Sequence, residues 1–148
     1  MALIKAKSTA SAVWEGSLME GSGQVSASSG AFSDQAVSWA ARTDRGITTT
    51  SPEELLASSH AACYCMALSN ILTQADTPPT RLEASATVTF AQQEVGFKVA
   101  SSALTVTGTV PGATAESFQE AAEKAKDGCP ISSAIAGNVE LSVEATLA

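Results

Sequence analysis

Between residues 55 and 72 apolar side chains recur at helical spacing, with Leu55, Leu56, Ala62, Met66, Ile71 and Leu72 in phase and no glycine or proline to interrupt them. The pattern predicts a helix over about 51–73. Ser51 reads as its N-cap, Pro52 as its first helical residue and Glu54 as the partner that closes a capping box, which leaves Glu53 available for another task. Alanine, leucine, cysteine and methionine occupy most of the circumference and charges are few beyond the first turn. A central helix, buried on several sides, is expected.

Alternation takes over after the Asp76 to Pro79 break. Residues 82–92 put Ala84, Ala86, Val88 and Phe90 on one face, and residues 97–110 form a second extended run with Val99, Leu104, Val106 and Thr109; 93–96 joins them as a hairpin. Over 114–127 the narrow stripe of Phe118, Ala121, Ala122 and Ala125 predicts a second helix, with Gly128 suited to its C-cap. Pro130 then opens a short helix and puts Cys129 at its N-cap, and 139–147 alternates Val139, Leu141, Val143 and Ala145 as a last strand. Ahead of the central helix, residues 4–14, 24–28 and 31–39 read as a small meander of antiparallel strands, followed by a polar loop over 43–50. No internal repeat is visible. Strands and helices are segregated, which predicts an α+β fold with helices on an antiparallel sheet.

The chain has 148 residues, enough for one domain spanning 1–148. With 45% apolar and 16% charged residues it is globular, and no uninterrupted apolar run approaches the roughly 20 residues of a membrane span. The first residues carry two lysines but run into a Ser/Thr-rich segment without the apolar core of a secretory signal, so a cytoplasmic location is expected. The net charge is −7, and the one basic cluster beyond the first residues is Arg42 with Arg45. Nucleic acid and membrane surfaces are therefore not expected partners. Three cysteines, an odd number in a chain read as unsecreted, do not form a disulfide framework. They are buried, metal-bound or reactive.

His60-Ala61-Ala62-Cys63-Tyr64-Cys65 holds the only histidine and two of these cysteines. Successive helical residues turn by about 100°, so Cys63 and Cys65 point roughly 200° apart and cannot share one ion or form a disulfide inside an intact helix. Any intramolecular disulfide must use Cys129. At a helix N-terminus Cys129 feels the positive end of the dipole, and local physics makes it the better nucleophile; Cys63 is inert unless a cation reaches it, for which Arg42 and Arg45 are the candidates. Burial preferences by themselves favour Cys65 as a buried thiol and His60 as a satisfied core or interface histidine.

Ser-Pro-Glu-Glu-Leu-Leu at 51–56, running into His-Ala-Ala-Cys-Tyr-Cys-Met-Ala-Leu at 60–68, together with Gly-Cys-Pro-Ile-Ser at 128–132, resembles the OsmC/Ohr family of thiol-dependent hydroperoxide reductases. The resemblance covers nearly the whole chain, and Val-Trp-Glu-Gly at 13–16 brings it closer to the OsmC branch. It implies an OsmC-like fold in an intertwined homodimer with sites at the subunit interface. Cys63 matches the peroxidatic cysteine, Cys129 the resolving one, and Arg42 and Glu53 the Arg–Glu pair that activates the thiolate. Arg42 rather than Arg45 takes the match, and Cys65 has no assigned role.

The implied activity is a peroxidase reducing organic hydroperoxides in preference to hydrogen peroxide, reopened by an external dithiol, of which a lipoyl group is one type, with no cofactor or metal. Glu53 and Cys63 lie ten positions apart on one helix, about 15 Å of rise. Arg42 and Glu53 are therefore expected to serve the Cys63 of the other subunit. Two other readings compete: a redox sensor or binding module that uses the same pair without rapid turnover, and a structural metal site of His60, Cys63 and Cys129. The second lacks a close ligand pair such as Cys-x-x-Cys.

Overall fold

The computed structural model describes residues 2–148. The expected meander is present: β1 (Ala10–Glu15), β2 (Ser22–Ala27) and β3 (Gln35–Val37) pair antiparallel in that order. Regular pairing begins at Ala10 rather than at residue 4. Gly23 in β2 is bare for a reason: a Cβ there would meet the Trp14 ring at 2.7 Å and the Val13 carbonyl at 2.8 Å. After β3 the chain makes α1 (Trp39–Thr43), a turn of helix that the hydrophobic pattern does not announce. Ser38 starts it by accepting a hydrogen bond from the Ala41 amide at 3.1 Å. The polar loop that follows returns to the sheet through a bridge between Val37 and Thr50.

The chain divides into two compact units, residues 1–52 and 53–148. The long helix α2 (Pro52–Gln74) begins at the expected proline. Its buried residues are Glu53, His60, Tyr64, Leu68 and Leu72, one stripe at successive spacings of seven and four. Burial on several sides is thus not what this chain presents: Ala62 and Met66 are exposed, and Met66 retains 73% of its surface. Alanine-rich faces satisfy helix propensity without requiring a partner within the chain. By length and composition alone α2 is long and apolar enough to span a bilayer, a test that the core helix of a water-soluble protein also meets. Its Tyr64, Leu68 and Leu72 stripe instead joins a core with Leu104, Val106, Val110 and Phe118.

The second sheet holds β4 (Arg81–Gln92), β5 (Phe97–Thr109) and, after two helices, β6 (Glu140–Leu147), in the order β4-β5-β6. The β4–β5 hairpin closes where predicted, with the Gln93 amide bonded to the Gly96 carbonyl at 2.9 Å. An antiparallel sheet throughout was expected, but β6 runs parallel to β5. The helices between them carry the chain back to the starting end of β5, and such a crossover gives a parallel neighbour. Of the residues named in the second run, Leu104 and Val106 are buried and Thr109 is exposed. Register slips where Thr89 pairs Ser101 and Phe90 pairs Val99, so the inner face changes phase and passes to Ser102, Leu104 and Val106.

Between the strands, α3 (Ala115–Gly128) buries the predicted Phe118, Ala121, Ala122 and Ala125. Thr114 and Ser117 cap it reciprocally. Gly128 is the last helical residue and not the cap; Cys129 takes that place and at once serves as N-cap of α4 (Pro130–Ile135). Extended φ and ψ at Cys129, −64° and 126°, break the helix there without glycine geometry.

Candidate active site

Two cysteines distant in the chain meet where α2 passes the junction of α3 and α4. Cys63 lies half-buried on α2, Cys129 is fully buried, and the two thiols are close enough to shift each other's ionisation. Helical phase explains the choice of cysteine. Cys65, two residues on, turns away and its sulfur bonds backbone at Ala84 of β4, with its thiol pushed up by burial.

The two paired sulfurs differ in their surroundings. Burial pushes the Cys63 thiol up, an effect the Ile131 amide offsets only partly, and the neighbouring Cys129 adds to the rise. Burial by itself would raise Cys129 as well. The amide of Ser132, the Cys63 thiol, the Ser132 hydroxyl and the Ile131 amide outweigh it and leave Cys129 below the ordinary thiol range. In the single chain Cys129 is therefore the more readily ionised of the two thiols. This agrees with the local argument from the start of α4 and is the reverse of the order that the family resemblance implies.

An open groove of about 480 Å³ begins at Cys63 and is walled by Met66, Ala67, Ile71 and Pro130, with Asn70 its polar side chain. Cys63 therefore faces apolar side chains on α2 and the first residue of α4. Cys129 lies behind it.

Arg42 and Glu53 fall in different units. Within the first, Arg42 stands on α1 with its guanidinium carbon 5.5 Å from the centre of the Trp39 ring, at a groove of about 310 Å³ lined also by Trp14, Leu18, Val37 and Pro52. Stacking of this kind orients a guanidinium. Arg45 is exposed and turns its guanidinium to the Ala41 carbonyl of its own helix end. In the second unit Glu53, in the first turn of α2, retains 7% of its surface.

His60 is fully buried, with Nδ1 2.7 Å from the Ser102 hydroxyl and Nε2 2.8 Å from the Ser132 hydroxyl. Both ring nitrogens are thereby engaged, as expected of a satisfied core histidine and not of a metal ligand. Burial holds its pKa below the ordinary value, so the ring is neutral at physiological pH. Ser102 and Ser132 were not singled out in the sequence. The only local signal was the phase of Ser102 with Leu104 and Val106 on the inner face of β5.

A family model described as OsmC-like protein matches residues 44–144. The chain is 38% identical over 128 residues to Peroxiredoxin OsmC of Escherichia coli (strain K12), covering 86% of this chain and 89% of that one. It is 30% identical over 104 residues to Organic hydroperoxide resistance protein-like 2 of Staphylococcus epidermidis, covering 69% and 71%. Among solved structures, the organic hydroperoxide resistance protein OhrB of Bacillus subtilis superposes with a TM-score of 0.69 at 27% identity, over 93% of this chain and 98% of that one.

Proposed function

The chain belongs to the OsmC-like protein family and is a peroxidase of that family, and we propose that it reduces organic hydroperoxides, and hydrogen peroxide more weakly, through Cys63 and Cys129. Cys63 attacks the terminal peroxide oxygen; the O–O bond breaks, the alcohol leaves with a proton and Cys63 becomes a sulfenic acid. The Cys129 sulfur then displaces water to close a disulfide, and an external dithiol supplies two electrons and two protons to reopen it. The closeness of the two thiols carries this reading, because the condensation needs no long movement of either helix.

The lowered Cys129 thiol has a place in the sequence of events. In the proposed homodimer, Arg42 of the partner subunit, directed by a carboxylate that Glu53 provides, approaches Cys63 and draws the negative charge onto it, while the shared proton passes to Cys129. Cys129 then holds the proton that leaves as water. The apolar walls beside Cys63 favour substrates with an alkyl tail, each buried methylene contributing about 0.8 kcal/mol. Both units work as one OsmC-like domain in the cytoplasm, where thiols stay reduced between turnovers.

Steady-state reduction of cumene hydroperoxide with an external dithiol tests this. Cys63→Ser is expected to abolish turnover, and Cys129→Ala to stop after about one equivalent of peroxide per subunit. Full turnover in either variant would remove the two-cysteine mechanism. Multiple turnovers by the native protein separate a peroxidase from a sensor, which would consume one equivalent and stop.

A further inference from the structure

The peroxidase reading gives His60 no task, although its ring is fully buried and both nitrogens are engaged, Nδ1 with the Ser102 hydroxyl at 2.7 Å and Nε2 with the Ser132 hydroxyl at 2.8 Å. The three residues come from three elements, α2, β5 and α4, all in the second unit. Each hydroxyl can donate or accept, so the contacts close with either neutral tautomer of the ring.

The two ends of the Ser132 contact each lie one helical turn from a cysteine. His60 precedes Cys63 by three positions on α2, about 4.5 Å of rise and on the same face. Ser132 follows Cys129 by three positions in the first turn of α4, where the Ser133 amide bonds the Cys129 carbonyl at 2.9 Å. Cys63 in turn lines one groove with Gly128 and Pro130, the residues on either side of Cys129.

Local structure does little to hold α4 in this place. It has six residues, too few for a stable helix by itself, and its N-cap Cys129 makes no side-chain cap bond. Ile131 is partly buried against the core, and Ser132 is the buried residue of α4. An apolar contact lets a short helix slide or turn, whereas a hydrogen bond fixes distance and direction, and in a dry site its loss leaves a polar atom unpaired.

The geometry points to His60 as a positioning residue for disulfide closure: through Ser132 it clasps the first turn of α4 to the turn of α2 that carries Cys63, and so holds Cys129 beside Cys63. It acts through Ser132 and the helix backbone rather than on the sulfurs. The Ser102 contact anchors the other side of the ring to β5 and does not bear on α4.

The clasp rests on Cys63 and Cys129 being the reacting pair, and it is read without peroxide. In a glutathione buffer the two protein thiols and one glutathione disulfide exchange to the Cys63–Cys129 disulfide and two glutathione thiols, and the equilibrium constant, quantified by peptide mapping, gives the effective concentration of one cysteine toward the other. Ser132→Ala is expected to lower it about tenfold and Ser102→Ala by less than about twofold. Each variant leaves one nitrogen of the same ring unpaired, so the two should lose similar stability in urea, and stability by itself cannot produce the difference. His60→Asn, whose amide reaches the Nδ1 position, should behave as Ser132→Ala; His60→Gln, whose amide reaches the Nε2 position, should behave as Ser102→Ala. This second pair keeps both serines in place. Equal falls within both pairs would make the ring a core filler, and unmoved constants would detach it from the cysteines; either result overturns the clasp. Native protein that forms the disulfide but does not turn over peroxide overturns the peroxidase reading alone, and native protein that forms no Cys63–Cys129 disulfide overturns both.

Discussion

His60 illustrates how a single side chain ties local chemistry to stability. Its pKa is lowered by burial, so the unfolded chain binds a proton that the folded one refuses. Its contribution is therefore fully present above the ordinary value of 6.5 and is lost as pH falls through that value toward the folded one. The urea midpoint is expected to drop on acidification across this window, and His60→Gln to flatten the drop, as equilibrium unfolding followed by circular dichroism will read. Cys65 makes the opposite case. Its sulfur faces β4 instead of Cys129, so Cys65→Ser should leave peroxide turnover within about twofold of native while costing about 1 kcal/mol or less in stability. A larger loss of turnover would mean that the third thiol takes part in the chemistry.

At the scale of elements, the contact of β5 with α3 leaves no room for a side chain. A Cβ at Gly108 would come within 2.5 Å of the Phe118 ring, and that ring is 1% exposed, so it has nowhere to retreat. Gly108→Ala should cost about 1–3 kcal/mol, measured by urea denaturation, with little change in the Cys63–Cys129 pair, which stands at the other end of α3. The same elements show what can be read from a linear pattern. The start of α2 at Pro52, the stripe of α3 and the alternation of β4 and β6 were legible because each depends on neighbours a few residues away. The five-residue α1 was not, since a single turn carries no period. The parallel pairing of β6 and the phase change in β5 depend on partners far along the chain. The site divides in the same way: opposed directions for Cys63 and Cys65 and a cap position for Cys129 follow from helix geometry, whereas the joining of Cys63 to Cys129, and of His60 to Ser102 and Ser132, is made by tertiary packing alone.

For the whole molecule the unsettled balance is between the two sulfurs. In one chain, the surroundings at the start of α4 lower the Cys129 thiol, and burial raises that of Cys63. A peroxidatic Cys63 therefore needs a cation from elsewhere, and α2 leaves Met66 and Ala62 exposed. If Arg42 acts across the interface, complementation will show it. Neither Arg42→Ala nor Cys63→Ser should turn over alone. Co-expressed with different tags and purified as a mixed dimer, they should recover about half of native activity, because one of the two sites then combines an intact Cys63 with an Arg42 from the opposite subunit. Action within one subunit leaves both sites of that dimer defective and the mixture inactive. Pre-steady-state alkylation of Cys63 gives the same answer without peroxide: the arginine's presence in the opposite subunit, and not in its own, should set how fast the thiolate reacts.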